Sequence, residues 1–552
     1  HKRLAIPGTI VVLVAILAAI PLTRYPLAGL VFKQTFTVRV LDSETNKPVT
    51  SADVTVAGRK VQTDSQGQVK IDVRVGNTTL LVEKKYYEKS QQKTLVPIMP
   101  QKKPVEIKVK ATGRQVTVTL LNKISQKPIE NGTITALDTK ANTDKDGKAV
   151  LVLPADKQTV DAVISANGYN EVKQVITVSL DEKVNQASLT PAGSVYFLSD
   201  SSGKLDVVKS DLDGGNRKVV VAGTGKEDKR STVLLASRDW KYLTLHSKRD
   251  GGEFPKLFLI DTSNDAISIM DEGAATFTLT GWSDHRFVYA VDRQNLQNWQ
   301  QNKQALKTYD ATNKKISTID QTNAEGDANY NIYNTLGTAY ILKNEIVYPK
   351  SWFWQGSYPG WNSPGWETFR TNVLAKKAEL KSIKPDGTGG RTIKSYGAPT
   401  PKNPNWIVAA SIDTRLYEPQ GIWIQSLDST SIEEYEDGQV KAVQGVKADQ
   451  FWDKEYTARV VSPDGNNTFW SEPRDGKNTL IIGDEKGNNS QEIAKLSDYS
   501  SYGWFTDQYL LVSKNGSELY ILPVAGGTAL KLTDYYKPYV NFSSYGYGYG
   551  GL

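Results

Sequence analysis

Val195-Tyr196-Phe197-Leu198-Ser199, Leu205-Asp206-Val207-Val208 and Arg217-Lys218-Val219-Val220 are three short apolar runs separated by turns rich in Asp, Gly, Ser and Asn. Each has the length and the β-branched and aromatic content of a strand, and the spacing predicts an antiparallel meander. The same order returns from Tyr242, Phe287, Glu345, Trp406, Thr468 and Tyr509. That makes about seven units at intervals of roughly 40 to 60 residues, a repeat length that strands alone fill when small sheets are arrayed radially. The expectation over 191–544 is therefore a β-propeller of about seven blades.

The turns carry the local logic. Asp211-Leu212-Asp213-Gly214-Gly215-Asn216, Lys384-Pro385-Asp386-Gly387 and Gly483-Asp484-Glu485-Lys486-Gly487-Asn488 supply residues that tolerate positive φ. Ser237-Arg238-Asp239-Trp240, Trp282-Ser283-Asp284-His285 and Ser462-Pro463-Asp464-Gly465 stand as further turns before the first strand pair of their units. Tyr-Phe-Leu-Ser-Asp followed by Asp-Leu-Asp-Gly-Gly, with Ser-Pro-Asp-Gly later, resembles the TolB-type repeat, a pattern shared by the propellers of prolyl oligopeptidase relatives. The first unit lacks an innermost strand, because Pro191-Ala192-Gly193 runs straight into Val195. Tyr539-Val540-Asn541-Phe542 has strand character and no unit of its own. Free strand edges are a liability, so this C-terminal strand is expected to complete the first blade and close the ring.

Outward from the array lies a duplication. Asn46-Lys47-Pro48-Val49 matches Gln126-Lys127-Pro128-Ile129, and Thr63-Asp64-Ser65-Gln66-Gly67 matches Thr143-Asp144-Lys145-Asp146-Gly147, both in one register. Alternating runs such as Phe36–Val40 and Val116–Leu120 surround them, with no helical period. Two small β-sandwiches are expected, over 33–112 and 113–190. The order Lys-Pro-Val, Ala52-Asp53-Val54-Thr55-Val56, Thr-Asp-x-x-Gly and a closing aromatic (Tyr86-Tyr87, or Asn167-Gly168-Tyr169) resembles the carboxypeptidase regulatory-like and PEGA group of surface domains. That resemblance implies stalk, spacer or adhesion modules rather than an activity.

Leu4 to Leu22 is uncharged and apolar apart from Thr9, and His1-Lys2-Arg3 precede it. Nineteen residues in a helix cover roughly 28 Å, enough for a bilayer core. The basic flank puts the N-terminus in the cytoplasm and the bulk outside the plasma membrane. Residues 1–32 are thus expected to be a single-pass anchor, with the short patch Leu27–Phe32 at the interface. A cleaved signal peptide is the alternative, but no small-x-small site follows the run. Residues 545–552 are a Gly/Tyr tail.

Charge is uneven. The chain has 67 Lys/Arg against 60 Asp/Glu, a net +7. Residues 33–110 alone hold 15 Lys/Arg and 8 Asp/Glu. The excess sits beside the expected membrane, which favours an anionic lipid or wall polymer over nucleic acid as its partner. A solvated lysine-rich surface is the plain alternative. With no cysteine, disulfides and thiolate metal sites are excluded, and the three histidines are far apart in sequence.

Chemistry was sought motif by motif. Gly281-Trp282-Ser283-Asp284-His285 lacks the second glycine of a nucleophile elbow, and no α/β domain follows. Asp144-x-Asp146-Gly147 has a calcium-loop look, but its copy Asp64-x-Gln66-Gly67 has lost a carboxylate and no bidentate Glu follows, so a hairpin turn is expected. No phosphate loop or dinucleotide fingerprint is present. No catalytic, cofactor-binding or metal residue is assigned, and no cofactor is expected. The candidate ligand residues are Trp352, Trp354, Tyr358, Trp361 and Trp366, in an insertion of the fourth unit that holds four of the twelve tryptophans. Flat aromatics among Pro and Gly stack on sugars or anchor a protein partner; packing into a local mini-core is the alternative. The expected function is a membrane-anchored surface protein whose propeller binds a protein or glycan. A surface glycan-active hydrolase or lyase and a structural envelope component are the alternatives.

Overall fold

The computed structural model describes residues 25, 28, 29, 32–101, 103–181, 183–326, 331–342, 345–355, 360, 362–369, 371, 376–396, 407–411, 421–426, 431–436, 438–447, 460–484, 487–496 and 499–536. The expected span Leu4–Leu22, the strand Tyr539–Phe542 and the Gly/Tyr tail lie outside them. Among the described residues no helix is long and apolar enough to cross a membrane. The described chain is all-β apart from single helical turns, and it forms two compact units, His1–Gly193 and Ser194–Leu552.

The first unit repeats one topology. Strand Lys33–Asp42 lies between Gln68–Arg74, antiparallel, and Val105–Val109, parallel. A second sheet runs Arg59–Gln62, Asp53–Val56, Gly76–Glu83, Ser90–Val96. The two sheets bury Phe36, Val38, Val54, Val56, Ile71 and Leu80 in one core. The next copy has the same strand orders in Lys148–Leu153, Arg114–Asn122, Gln186–Leu189 and in Thr139–Asn142, Thr133–Ala136, Thr159–Ser165, Val172–Thr177.

The duplicated motif has a physical purpose. Thr143 Oγ1 is buried, donates to the Ile129 carbonyl at 2.6 Å and accepts from the Gly132 amide at 2.8 Å. Thr63 does the same with Val49 and Ala52 at 2.7 and 2.9 Å. Asp144 Oδ1 accepts the amides of Asp146 and Lys148, and Asp64 those of Gln66 and Gln68, closing hairpins at Gly147 and Gly67. Gly67 has φ +69°, and a Cβ there would lie 2.6 Å from the Val40 carbonyl. The Asp144 carboxylate of the calcium-like motif is a turn acceptor.

Among its described residues the second unit contains seven antiparallel sheets in chain order, over 194–221, 233–271, 275–321, 324–395, 407–447, 460–496 and 499–534. The first has three described strands, the fourth six and the rest four. The last sheet meets the first. Arg217 donates to Thr533 Oγ1 at 2.6 Å and Ser199 Oγ at 2.7 Å, with its guanidinium over the Phe197 ring. The Tyr536 amide donates to the Leu198 carbonyl at 2.8 Å, so the chain leaving the seventh sheet runs onto the first. Gly214 makes the approach possible: a Cβ there would lie 2.1 Å from the Leu532 carbonyl oxygen.

Candidate functional site

Neighbouring sheets are joined by a recurring polar unit. Tyr289 and Lys307 sit opposite each other on adjacent strands of the third sheet, and both donate to Asp271 of the second, at 2.8 Å each. Tyr348 and Lys381 are opposed in the same way in the fourth sheet. There Tyr348 donates to Asp320 of the third at 2.7 Å, Lys381 lies 3.6 Å away, and Lys350 bonds at 2.9 Å. Tyr196 and Lys209, opposed in the first sheet, meet Asp265 of the second at 3.1 and 2.5 Å. Tyr396 and Lys394 of the fourth bond to Glu433 of the fifth.

Asp320 is held in its charged form. Burial alone would raise the Asp320 pKa, but the Lys350 ammonium, the Tyr348 hydroxyl and Lys381 hold it below the ordinary carboxylate value. Burial and the facing carboxylate push the Tyr289 and Tyr348 hydroxyls up. A neutral tyrosine donor and a lysine cation on a charged acid is a clamp between sheets.

The turns before the second strands also converge. Ser237 Oγ donates to Asp239 and accepts the Tyr242 amide; Ser462 Oγ repeats this with Asp464 and Asn467. Arg238 of the second sheet donates to the Ser462 carbonyl of the sixth at 2.7 Å. Trp240 packs on Phe505 of the seventh with ring centroids 5.0 Å apart, and the Asp464 amide donates to Asp507 at 2.8 Å. Turns of non-neighbouring sheets therefore touch at this end. His285, from the elbow-like motif, pairs with Asp284 at 2.6 Å and Asp310 at 3.5 Å, while Arg286 neutralises Asp310 at 2.9 Å. Among the described residues no group of three His, Asp or Glu side chains could hold a metal ion.

The tryptophan insertion begins as a strand rather than a loop. Glu345–Gln355 is eleven residues long. Its first half pairs with Glu379–Ile383, and its second half runs on to pair with Asn331–Leu336, so that Trp352 faces Asn334 and Trp354 faces Ile332 in register. Trp352-Phe353-Trp354 is an unbroken aromatic run with no turn residue, and this was the signal for the extension. Trp352 and Trp366 are half-buried and pack on buried Ile332 and Phe369, the latter on the helical turn Trp366–Phe369. On the other strand face Tyr333 stacks on Phe353 at 6.0 Å. Lys376 sits 4.6 Å above the Trp352 ring and bonds to Glu325 at 2.6 Å. The structure thus brings Trp352 and Trp366 together; the Trp354 side chain, Tyr358 and Trp361 lie outside the described residues.

No protein-family model and no curated protein matches the sequence. Among solved structures, the chain is similar to oligogalacturonate lyase from Vibrio parahaemolyticus at 12% identity and TM-score 0.31, over 62% of this chain and 85% of that one. It is similar to TolB from Acinetobacter baumannii at 10% identity and TM-score 0.27, over 67% and 74%. A prolyl endopeptidase aligns at 13% identity and TM-score 0.28, over 79% and 55%. TM-scores this low establish neither a shared overall fold nor a function for this chain.

Proposed function

We propose that the chain is a single-pass plasma-membrane protein whose second unit is a seven-bladed β-propeller serving as a non-enzymatic binding module for a protein or glycan. Residues 4–22 form the anchor, and the two duplicated domains are sandwiches of the carboxypeptidase regulatory-like kind that act as a stalk. Strand Tyr539–Phe542 fills the missing fourth place in the first blade. The observation that carries the reading is the clamp chemistry: sheet after sheet, the part-buried acids are committed to tyrosine and lysine, as a scaffold requires and an acid–base catalyst does not. The binding surface is the irregular one, the extended fourth sheet with Trp352, Trp354, Tyr358, Trp361 and Trp366. The half-buried Trp352 indole, held on a strand, keeps part of its face available at little entropic cost.

The test takes residues 33–552 against glycan and peptide panels, reading both binding and product formation. Capture of one ligand class without turnover is the expected result. Trp366→Ala and Trp361→Ala should weaken that capture at least tenfold, about 1.4 kcal/mol, with unfolding midpoints retained. Product formation abolished by a single Asp or Glu substitution would replace the binding reading with a glycan-active enzyme. Loss of the fold on either Trp substitution would reduce the aromatic cluster to a mini-core.

A further inference from the structure

The two copies in the first unit use corresponding ends differently. In the second copy, the end at Arg114-Gln115 and Val152-Leu153 docks on the first: Gln115 donates to Asp42 at 2.9 Å, and Val152 joins the first copy's core. The corresponding end of the first copy is at Lys33-Gln34 and Val73–Gly76. Residues 25, 28, 29 and 32 lie against it. The Phe32 amide donates to the Ala28 carbonyl at 2.7 Å, Ala28 packs against the core, and a Cβ on Gly29 would lie 2.5 Å from the Val75 carbonyl oxygen. A Cβ on Gly76 would lie 3.6 Å from the Tyr25 carbonyl oxygen, so Tyr25 lies beside this end. Three residues from Leu22 to Tyr25 reach at most about 10 Å in any conformation, comparable with the headgroup layer of roughly 5–8 Å on each side of a bilayer.

That end is apolar and exposed where a free domain end would be polar. Phe32 is 59% exposed, Met99 79% and Ile98 40%. The pairing of Gly76 with Val96 starts the 97–100 loop here, and Gln34 fixes it by donating to the Ile98 carbonyl at 3.3 Å. Lys33 and Arg74, directly opposed across the strands and both exposed, stand beside it. The nearest acid on these strands, Asp72, accepts a hydrogen bond from Thr35 at 2.6 Å. Apolar side chains at the tip with cations at the rim match the acyl–headgroup boundary of an anionic leaflet.

We infer that this end of the first domain is a lipid-docking surface: Phe32, Ile98 and Met99 enter the interfacial region of an anionic membrane while Lys33 and Arg74 meet its phosphates. The inference rests on the single-pass reading above. It makes the stalk stand on the membrane by a two-part contact, a span and a foot, instead of swinging from a tether.

The absence of cysteine permits the test on the full chain. Met99→Cys and Leu180→Cys carry a nitroxide, and each protein is reconstituted into vesicles of phosphatidylcholine with phosphatidylglycerol. Leu180 is the 74% exposed counterpart of Ile98 in the second copy. The label at 99 should collide with oxygen in preference to a water-soluble nickel chelate several-fold more than the label at 180. Lys33→Glu with Arg74→Glu should shift it back toward water. An aqueous label at 99 in a chain that resists alkaline carbonate extraction overturns the docking surface alone; a chain stripped by carbonate overturns the anchor itself. Spin–spin broadening at 99 that disappears on dilution with unlabelled chain would assign the surface to a second copy, and also overturns the inference.

Discussion

Asp320→Ala isolates what one clamp contributes. The carboxylate accepts from Tyr348 at 2.7 Å and Lys350 at 2.9 Å, across from the third sheet to the fourth. The Asp320 and Lys350 side chains are only 16% and 9% exposed. Without the carboxylate, the Lys350 ammonium keeps the Gln321 carbonyl at 2.9 Å and loses its counter-charge, while the Tyr348 hydroxyl loses its acceptor. Breaking a buried pair from one side costs about 3–5 kcal/mol. Asp320→Asn keeps an acceptor and loses only the charge, so about 1–2 kcal/mol is expected. Asp320→Ala with Lys350→Met removes the stranded cation and should regain a large part of the loss. Tryptophan fluorescence during urea unfolding is the assay. The first tryptophan is Trp240, so the signal reports the second unit alone. The pH dependence follows from the depressed Asp320 pKa, where Lys350 and its neighbours outweigh burial. The folded value lies below the unfolded one of about 3.9, so the contribution is complete above about pH 4 and is lost as pH falls through the folded value. An Asp320→Ala loss under about 1 kcal/mol at neutral pH, or a double variant no better than the single, refutes the clamp as a source of stability.

Thr143→Val keeps the shape and orphans two buried backbone groups, so the first unit should lose about 2–4 kcal/mol by circular dichroism, and calcium or a chelator should not move its midpoint. Burial lowers the His246 pKa, so the unfolded chain takes the proton first. Stability of the second unit should then fall as pH drops below about 6.5, and His246→Phe should flatten that slope in acid titrations followed by fluorescence. Burial likewise brings Lys84 down to about 8, beneath an unfolded lysine of about 10.4. The first unit should therefore gain stability as pH rises between those values, and Lys84→Met should remove the gain; a profile unchanged by the substitution means the ammonium is solvated.

Much of the scaffold was legible because its signals are local. Hairpin turns announce themselves through Asn, Asp and Gly at positions that need positive φ, such as Asn216, Asp284 and Gly465. The Thr-Asp-x-x-Gly pairs were found by their common register, and the threonine hydrogen bonds explain why the register repeats. The clamps were not legible. Tyr196 and Lys209 are 13 residues apart, Tyr289 and Lys307 18, Tyr348 and Lys381 33, because hairpin lengths differ between sheets. Their acids come from a neighbouring sheet. No fixed spacing exists to be read, and only the register aligns the three groups.

The same contrast bears on where function lies. Where the repeats agree, each recurring polar group is already satisfied: threonine by two backbone groups, turn aspartate by amides, clamp acid by tyrosine and lysine. Such groups are engaged in holding the fold. Where copies differ, the difference sits at a boundary. Lys84 replaces the small Ala166 of the other copy and bonds to the Thr50 carbonyl, whose own hydroxyl accepts from Asn142 of the second copy. Phe32 and Met99 are exposed at one end of the first copy. The fourth sheet differs most, with a strand that outruns its partners and carries indoles on the excess length. A repeat architecture buries its faces by stacking like on like, and apolar surface left over by that rule has to be covered by something outside the repeat. The exposed apolar end of the first domain and the tryptophan strand both depart from that rule, and the proposed bilayer and ligand contacts rest on them.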